Sequence, residues 1–145
     1  MRALLTPIYT PGGAVICRRI EAEDSRAADA YMGHPATNVP RVVIQHSPDG
    51  HNWGYGGAGP ADLALDILTL HMPPGADQRQ PVECWRGCTS AFAWRHHQAL
   101  KREVIAGLPY EGGILSAETI RAFIDRALAL DLALPDGIGE EGGGL

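Results

Sequence analysis

The chain has no apolar run approaching the ~20 residues that span a bilayer. Its opening residues, Met1 to Ile8, carry one charged side chain and no hydrophobic signal core. Neither membrane insertion nor secretion is expected, and a cytoplasmic setting is. Cysteine is scarce: Cys17, Cys84 and Cys88 are an odd number at low density, so a disulfide framework is not expected and reduced thiols are. Aromatic residues make up 6% of the chain, and Lys101 is the one lysine. A dominant charge of one sign is missing as well. The net charge is -5, but four acids and no base lie between Asp131 and Leu145, so the remainder is close to neutral. Nucleic-acid binding through bulk positive charge is therefore excluded, and no nucleic acid is expected as a partner.

What is abundant is glycine (18) and proline (11), against a combined average of roughly 12% of residues, so turns and loops should be frequent. Hydrophobic residues at 45% and charged residues at 20% describe a globular chain, and 145 residues suffice for one domain with a core. Residues 3–9 and 14–20 read as two short strands around the turn Pro11-Gly12-Gly13. Ser25 opens a short helix through Met32, and residues 34–40 read as loop. The β-branched run 41–46, between Pro40 and Ser47-Pro48-Asp49-Gly50, reads as the clearest strand. A helix opens at Pro60, where the missing N–H costs nothing, and stops at Pro73-Pro74-Gly75. Residues 89–106 form a second helix. Ser116 caps a third, in which Ile120, Phe123, Ile124, Ala127 and Leu128 follow helical spacing. Strands come first and helices later, so the expected fold is α+β: an antiparallel sheet of about three strands with three main helices on one side. Residues 1–135 make a single domain, and 136–145 a flexible, acidic, glycine-rich tail.

The segment from Ser47 to Leu65, SPDGHNWGYGGAGPADLAL, resembles the signature S-P-x-G-F-x-W-G-Y-G-G-S-G-P-A-x-L-A. That signature belongs to a family of small bacterial and phage proteins catalogued as a domain of unknown function. His97 to Pro109 and a closing helix such as 116–128 are also similar to the family, so the resemblance spans roughly residues 41–130. His51 stands where the family pattern has an aromatic residue, and Ala58 where it has serine. The resemblance implies a phage or mobile-element setting and brings no catalytic residues with it.

Within that segment Gly54, Gly56, Gly57 and Gly59 precede a helix N-terminus, whose free N–H groups and dipole favour anions. Neither a P-loop nor a dinucleotide fingerprint is present. Asp62, expected in the first turn, would favour the dipole and repel an anion. The structural reading is that Trp53 and Tyr55 pack while the glycines turn the chain. The functional reading is a ligand site made of Trp53, Gly54, Tyr55, Gly56, Gly57 and Gly59. Arg95 and Lys101, from a basic window between Arg79 and Arg102, would meet a phosphate.

Cys84 and Cys88, with His71 and His96 as further ligands, suggest zinc. The cysteine spacing fits a zinc half-site, but His96 and His97 are adjacent where a spacing of three to five is usual. One helix from Cys88 to His96 would part them by about 12 Å, so a site requires the helix to start after Cys88 or requires His71. His46, Ser47 and Asp49 hold the letters of a triad but stand too close together to align as one. No catalytic set is read, and no cofactor is expected apart from the zinc alternative.

The leading functional expectation is a non-catalytic, phage or mobile-element-type binding protein, an inhibitor of a host defence complex acting by stoichiometry. It rests on analogy. The alternatives are a binder of a nucleotide, signal molecule or other small phosphate-bearing ligand at the Trp53–Gly59 loop, and a zinc-stabilised or zinc-dependent protein.

Overall fold

A computed structural model describes residues 7–20 and 34–133. The order of elements is β1 (Val15–Ile20), β2 (His34–Thr37), α1 (Ala58–His71), β3 (Val82–Glu83), β4 (Cys88–Thr89), α2 (Ala91–Leu100), a π-helical turn (Lys101–Ile105), β5 (Gly112–Leu115) and α3 (Ala117–Ala133). The fold is α+β, with a three-stranded antiparallel sheet in the order β2-β1-β5 and a separate two-stranded hairpin, β3-β4.

The sheet differs in membership from the sequence expectation. β1 falls where a strand was expected, after the 10–13 turn, in which Gly13 N–H donates to the Thr10 carbonyl at 2.9 Å. Residues 7–9 form no strand, and 3–6 lie outside the described residues. The partners of β1 are instead β2, in a stretch that reads as loop, and β5, which follows the second helix. Proline and histidine at 34–35 hide β2 from a propensity argument. β5 begins on two glycines because its backbone runs close against β1. Gly112 has a φ of +117°, and a Cβ there would collide with the Cys17 carbonyl. Asn38 ties the sheet edge: its Oδ1 accepts from Ile16 N–H at 2.8 Å, and its Nδ2 donates to the Ala14 carbonyl at 3.1 Å.

The run 41–46 is not a strand. Its ladder reduces to one bridge, Ile44 with Arg86 of the β3-β4 turn. Its N–H groups go elsewhere, to carboxylates of α1, so β-branched composition here reflects burial of Val43 and not pairing.

The helices come close to expectation. α1 is buried from Gly59 to Thr69 on every side, so it serves as the central element and not as a surface helix with one apolar stripe. Ser90 caps α2, its Oγ accepting from Ala93 N–H at 3.0 Å. Asp77 adds a second cap, accepting from Phe92 N–H at 2.9 Å. The single helix expected over 89–106 is an α-helix that ends at Leu100 and passes into the π-helical turn. Ser116 caps α3, accepting from Thr119 N–H at 3.1 Å. The core joins Val15, Cys17 and Leu115 of the sheet to Leu63, Leu65, Ile67 and Leu68 of α1, and to Phe92, Ile105, Ile120 and Phe123. Among the described residues no helix is long and apolar enough to cross a membrane. The helix expected over 25–32 and the tail from 136 lie outside the described residues.

Candidate functional site

Asp62 and Asp66 are one helical turn apart on α1 and so share a face. Both are fully buried. A carboxylate in that position must be met by donors, since an unpaired buried charge costs several kcal/mol. The donors are the backbone of 42–47. Asp66 Oδ1 accepts from Val42 N–H at 3.1 Å and Val43 N–H at 2.8 Å. Asp62 Oδ1 accepts from His46 N–H, and its Oδ2 from Ser47 N–H, both at 2.9 Å, with Gln45 N–H at longer range. The Arg41 guanidinium adds a charge-assisted bond to Asp62 at 3.0 Å and stands 3.6 Å from Asp66. Asp62 is therefore neither in the first turn nor available to repel an anion, as the sequence suggested; α1 starts earlier, at Ala58, and turns it inward.

The second oxygen of Asp66 accepts from His51 Nε2 at 2.5 Å. Burial pushes the Asp66 carboxyl up, and the bonds from His51, Val43 and Val42 oppose that shift. His51 is itself buried and lines the floor of a polar cleft of about 370 Å³. The walls are His34 of β2 and, from the 47–59 segment, Ser47, Asp49, Asn52 and Tyr55. Gly59 closes the cleft by contact with Asn52: an added Cβ would sit 2.6 Å from the Asn52 Cβ. Tyr55 is half exposed, and its ring lies against Gly57, where a Cβ would meet it. The Ser47 hydroxyl donates to the Gly50 carbonyl at 2.9 Å, while His46 turns to His97. The letters of a triad at 46–49 thus do not assemble.

His46 and His97 meet through their Nε2 atoms at 3.0 Å. The His97 Nδ1–H donates to the Trp94 carbonyl at 2.8 Å, which leaves its Nε2 as the acceptor and makes His46 the donor. Their ring centroids are 5.2 Å apart, so the two nitrogens point at each other along one line. Burial pushes His97 down to about 4, and His46 is lowered by the same cause.

The other candidates fall in several places. Trp53 is fully buried, its indole N–H donating to the Tyr110 carbonyl at 3.1 Å. The Arg19 guanidinium stacks over Trp53 and Tyr110, at 4.7 and 3.9 Å from their ring centroids. Trp53 is a packing residue with its back to the core, and Tyr55 is the member of that pair that faces the cleft. Gly54, at a φ of +86°, donates its N–H to the Ile105 carbonyl at 3.1 Å. Gly57 is the N-cap of α1, and no side chain caps that end. Lys101 reaches the Gly56 carbonyl at 3.4 Å, and Arg95 pairs with Asp131 at 2.7 Å. Lys101 thus touches the loop and Arg95 is held by Asp131, and neither cation lines the cleft.

Of the four zinc candidates, Cys84 and Cys88 are neighbours at the β3-β4 turn, while His71 and His96 are engaged by other side chains. α2 does start after Cys88, as a site would require. Cys88 is exposed on β4, and Cys84, half-buried, is pushed up to about 11 by burial. His71 accepts or donates a 2.6 Å bond with the Tyr9 hydroxyl, and His96 is bonded to Asp131 at 2.8 Å. Among the described residues no three His, Cys, Asp or Glu side chains group as metal ligands.

Sequence reasoning missed the Asp66–His51 pair, Arg41 and the His46–His97 pair. A signal for the first was present. Two acids four residues apart, within the otherwise apolar stretch Ala61 to Leu68, must either break that face or be buried with partners.

Residues 20–81 match the model of a family described as a family of unknown function, DUF6166. The matched stretch is less than half of the chain, and it holds the whole of the 47–65 segment, Asp62, Asp66 and the cleft. It begins earlier and ends earlier than the resemblance read from the motif. No curated protein and no solved structure matches the chain.

Proposed function

We propose that this chain is a non-catalytic binding protein that seats a small polar ligand in the cleft of the 47–59 segment. The observation that carries this reading is the use of that segment. Ser47, Asp49, Gly50, His51, Asn52, Tyr55 and Gly59 all line one open cavity, while Asp62 and Asp66 hold its base rigid from behind. A loop pinned from one side and open on the other is preorganised, which lowers the cost of ordering on binding. Among the described residues the lining offers carboxylate, amide, hydroxyl and imidazole groups and no Arg or Lys. That chemistry suits an uncharged, hydroxyl- or amide-bearing molecule better than a phosphate, so a nucleoside or sugar fits better than a nucleotide. The test is a thermal-shift panel of nucleosides, sugars and amino acids on the full chain. At 100 times its Kd a ligand adds about 2.7 kcal/mol to stability. A ligand that raises Tm in the wild type and fails to do so in Tyr55→Ala and Asp49→Ala supports the reading. A ligand that stabilises all three alike removes the cleft from consideration.

A second reading, an inhibitor from a phage or mobile element that docks on a host protein complex, is favoured by Trp85. Its side chain is 58% exposed at the turn of the β3-β4 hairpin, with the Arg86 guanidinium 4.8 Å from its ring centroid. Exposed Trp and Arg are the residue types that dominate binding hot spots. In this reading Trp85→Ala releases a co-purifying partner, and Tyr55→Ala does not.

A further inference from the structure

His51 is held from one side only. Its side chain is 5% exposed, and its Nε2 is spent on Asp66, which lies behind it on α1. Asp66 is an acceptor there. Its other oxygen takes the Val42 and Val43 N–H groups, and the Arg41 guanidinium stands 3.6 Å from the Oδ2 that meets His51. The imidazole proton of His51 therefore sits on Nε2, and Nδ1 carries a lone pair. The two ring nitrogens point to opposite sides, so Nδ1 turns away from α1 and towards the cleft that His51 lines. Among the described residues no group donates to it, yet it is not one of the atoms sealed in without a partner, which are Arg41 Nε and Arg95 Nε. It is an acceptor presented to the cavity. Two neighbours in the lining accept as well: Asp49 is a carboxylate, and the Ser47 hydroxyl has given its proton to the Gly50 carbonyl. Asn52 runs the other way. Its Oδ1 takes the Trp53 N–H at 2.9 Å, which leaves its Nδ2 to donate, and the Tyr55 hydroxyl can serve either role.

We propose that the cleft selects an uncharged ligand by an N–H2 group, which His51 Nδ1 accepts, and that Asp66 is the positioning residue that makes His51 an acceptor. The inference rests on the small-molecule reading of the cleft and names the class of molecule for it. An N–H2 group supplies two donors from one atom, for Nδ1 and for a second acceptor of the lining. A carbonyl in the same place would set lone pair against lone pair, and a buried acceptor left unpaired is costly. An acceptor beside the N–H2 group would meet Asn52 Nδ2. Carboxamides and the amino-bearing edges of cytosine and adenine have this pattern, and uracil and hypoxanthine have it reversed.

The experiment uses the full chain and two near-isosteric pairs, cytidine with uridine and adenosine with inosine, in titration calorimetry. Cytidine and adenosine should bind at least tenfold more tightly than their counterparts. Long-range 1H–15N spectra of the ligand-free protein, in mildly alkaline buffer, should show the His51 proton on Nε2. The Nδ1 resonance should move on adding cytidine and stay in place with uridine. His51→Phe keeps a ring and removes the acceptor, so the preference within each pair should vanish. Asp66→Asn sets an N–H2 group against His51 Nε2, moves the proton to Nδ1 and should turn the preference towards uridine and inosine. Should that variant not fold, the spectra and the nucleoside pairs decide without it. A proton on Nδ1 in the free protein, equal binding within both pairs, or an unchanged preference in His51→Phe overturns the inference and leaves the cleft to other ligands. Binding of none of the four overturns the N–H2 class, and a sugar that still binds in a Tyr55-dependent way keeps the cleft reading alone. A proton on Nε2 together with nucleoside binding that Tyr55→Ala and Asp49→Ala leave intact removes the cleft itself, and with it the reading on which the inference rests.

Discussion

His46 and His97 hold a single proton between their Nε2 atoms, 3.0 Å apart, and a second proton at that contact would set two N–H donors face to face. His97 is lowered to about 4 by burial, and His46 is also lowered. The unfolded chain therefore binds protons that the folded chain refuses between the ordinary histidine value of 6.5 and about 4. Stability should be complete above about pH 6.5 and fall as the pH drops through that window, by roughly 3 kcal/mol for His97. Asp66, raised by burial, acts in the opposite sense. Denaturant midpoints of wild type and His97→Gln, measured from pH 7.5 to 4.5, check this. Parallel curves would show that His97 is not the source.

Asp62→Asn and Asp66→Asn should each destabilise by about 2–4 kcal/mol, because an amide offers one acceptor oxygen and turns two N–H donors towards backbone N–H groups. Urea unfolding gives the number. A loss under 1 kcal/mol in both would mean that water replaces the carboxylates without cost and that the clamp is dispensable.

Gly112→Ala should be among the most disruptive substitutions in the chain. The new methyl collides with the Cys17 carbonyl, at a φ of +117° that L-residues rarely adopt. The β1-β5 pairing must shift to relieve the collision, so amide exchange at Cys17 and Gly113 should accelerate. Gly75→Ala is the control: its φ is +84° but nothing lies near the added Cβ, so it should cost only about 1 kcal/mol.

Chelation tests the zinc alternative. With His71 bonded to Tyr9 and His96 to Asp131, the Tm of freshly purified protein should not change on adding a strong chelator. A fall of several degrees, together with zinc in the elemental analysis, would reverse this and require Cys84 and Cys88 to recruit other ligands.

The helices were legible because periodicity and capping are local: Ser116 announces the start of α3 within four residues. The sheet was less so. β2 and β5 have weak strand composition and exist because β1 lies between them, a long-range fact. Val42, Val43 and Ile44 misled for a related reason. Composition reports that a segment is buried; it does not report who takes its hydrogen bonds. The glycine segment was located from its residues, but its role divided in a way spacing could not show. Trp53 went to the core, and Tyr55 with His51 went to the cleft. The Asp66–His51 and His46–His97 pairs join side chains 15 and 51 positions apart, and only the tertiary fold selects them.

The carboxylates of α1 grip peptide N–H groups, and every amino acid but one supplies the same N–H. The identity of the exposed side chain at position 42 is therefore largely decoupled from the path of the backbone through it, whereas Gln45 and His46 have side-chain partners of their own. A saturation library at position 42 should return folded clones of widely different polarity, with proline absent from all of them. The segment is a fixed track on which the outward-facing Val42 side chain can be exchanged, and it leads directly into the stretch from Ser47 to Gly59 that lines the cleft.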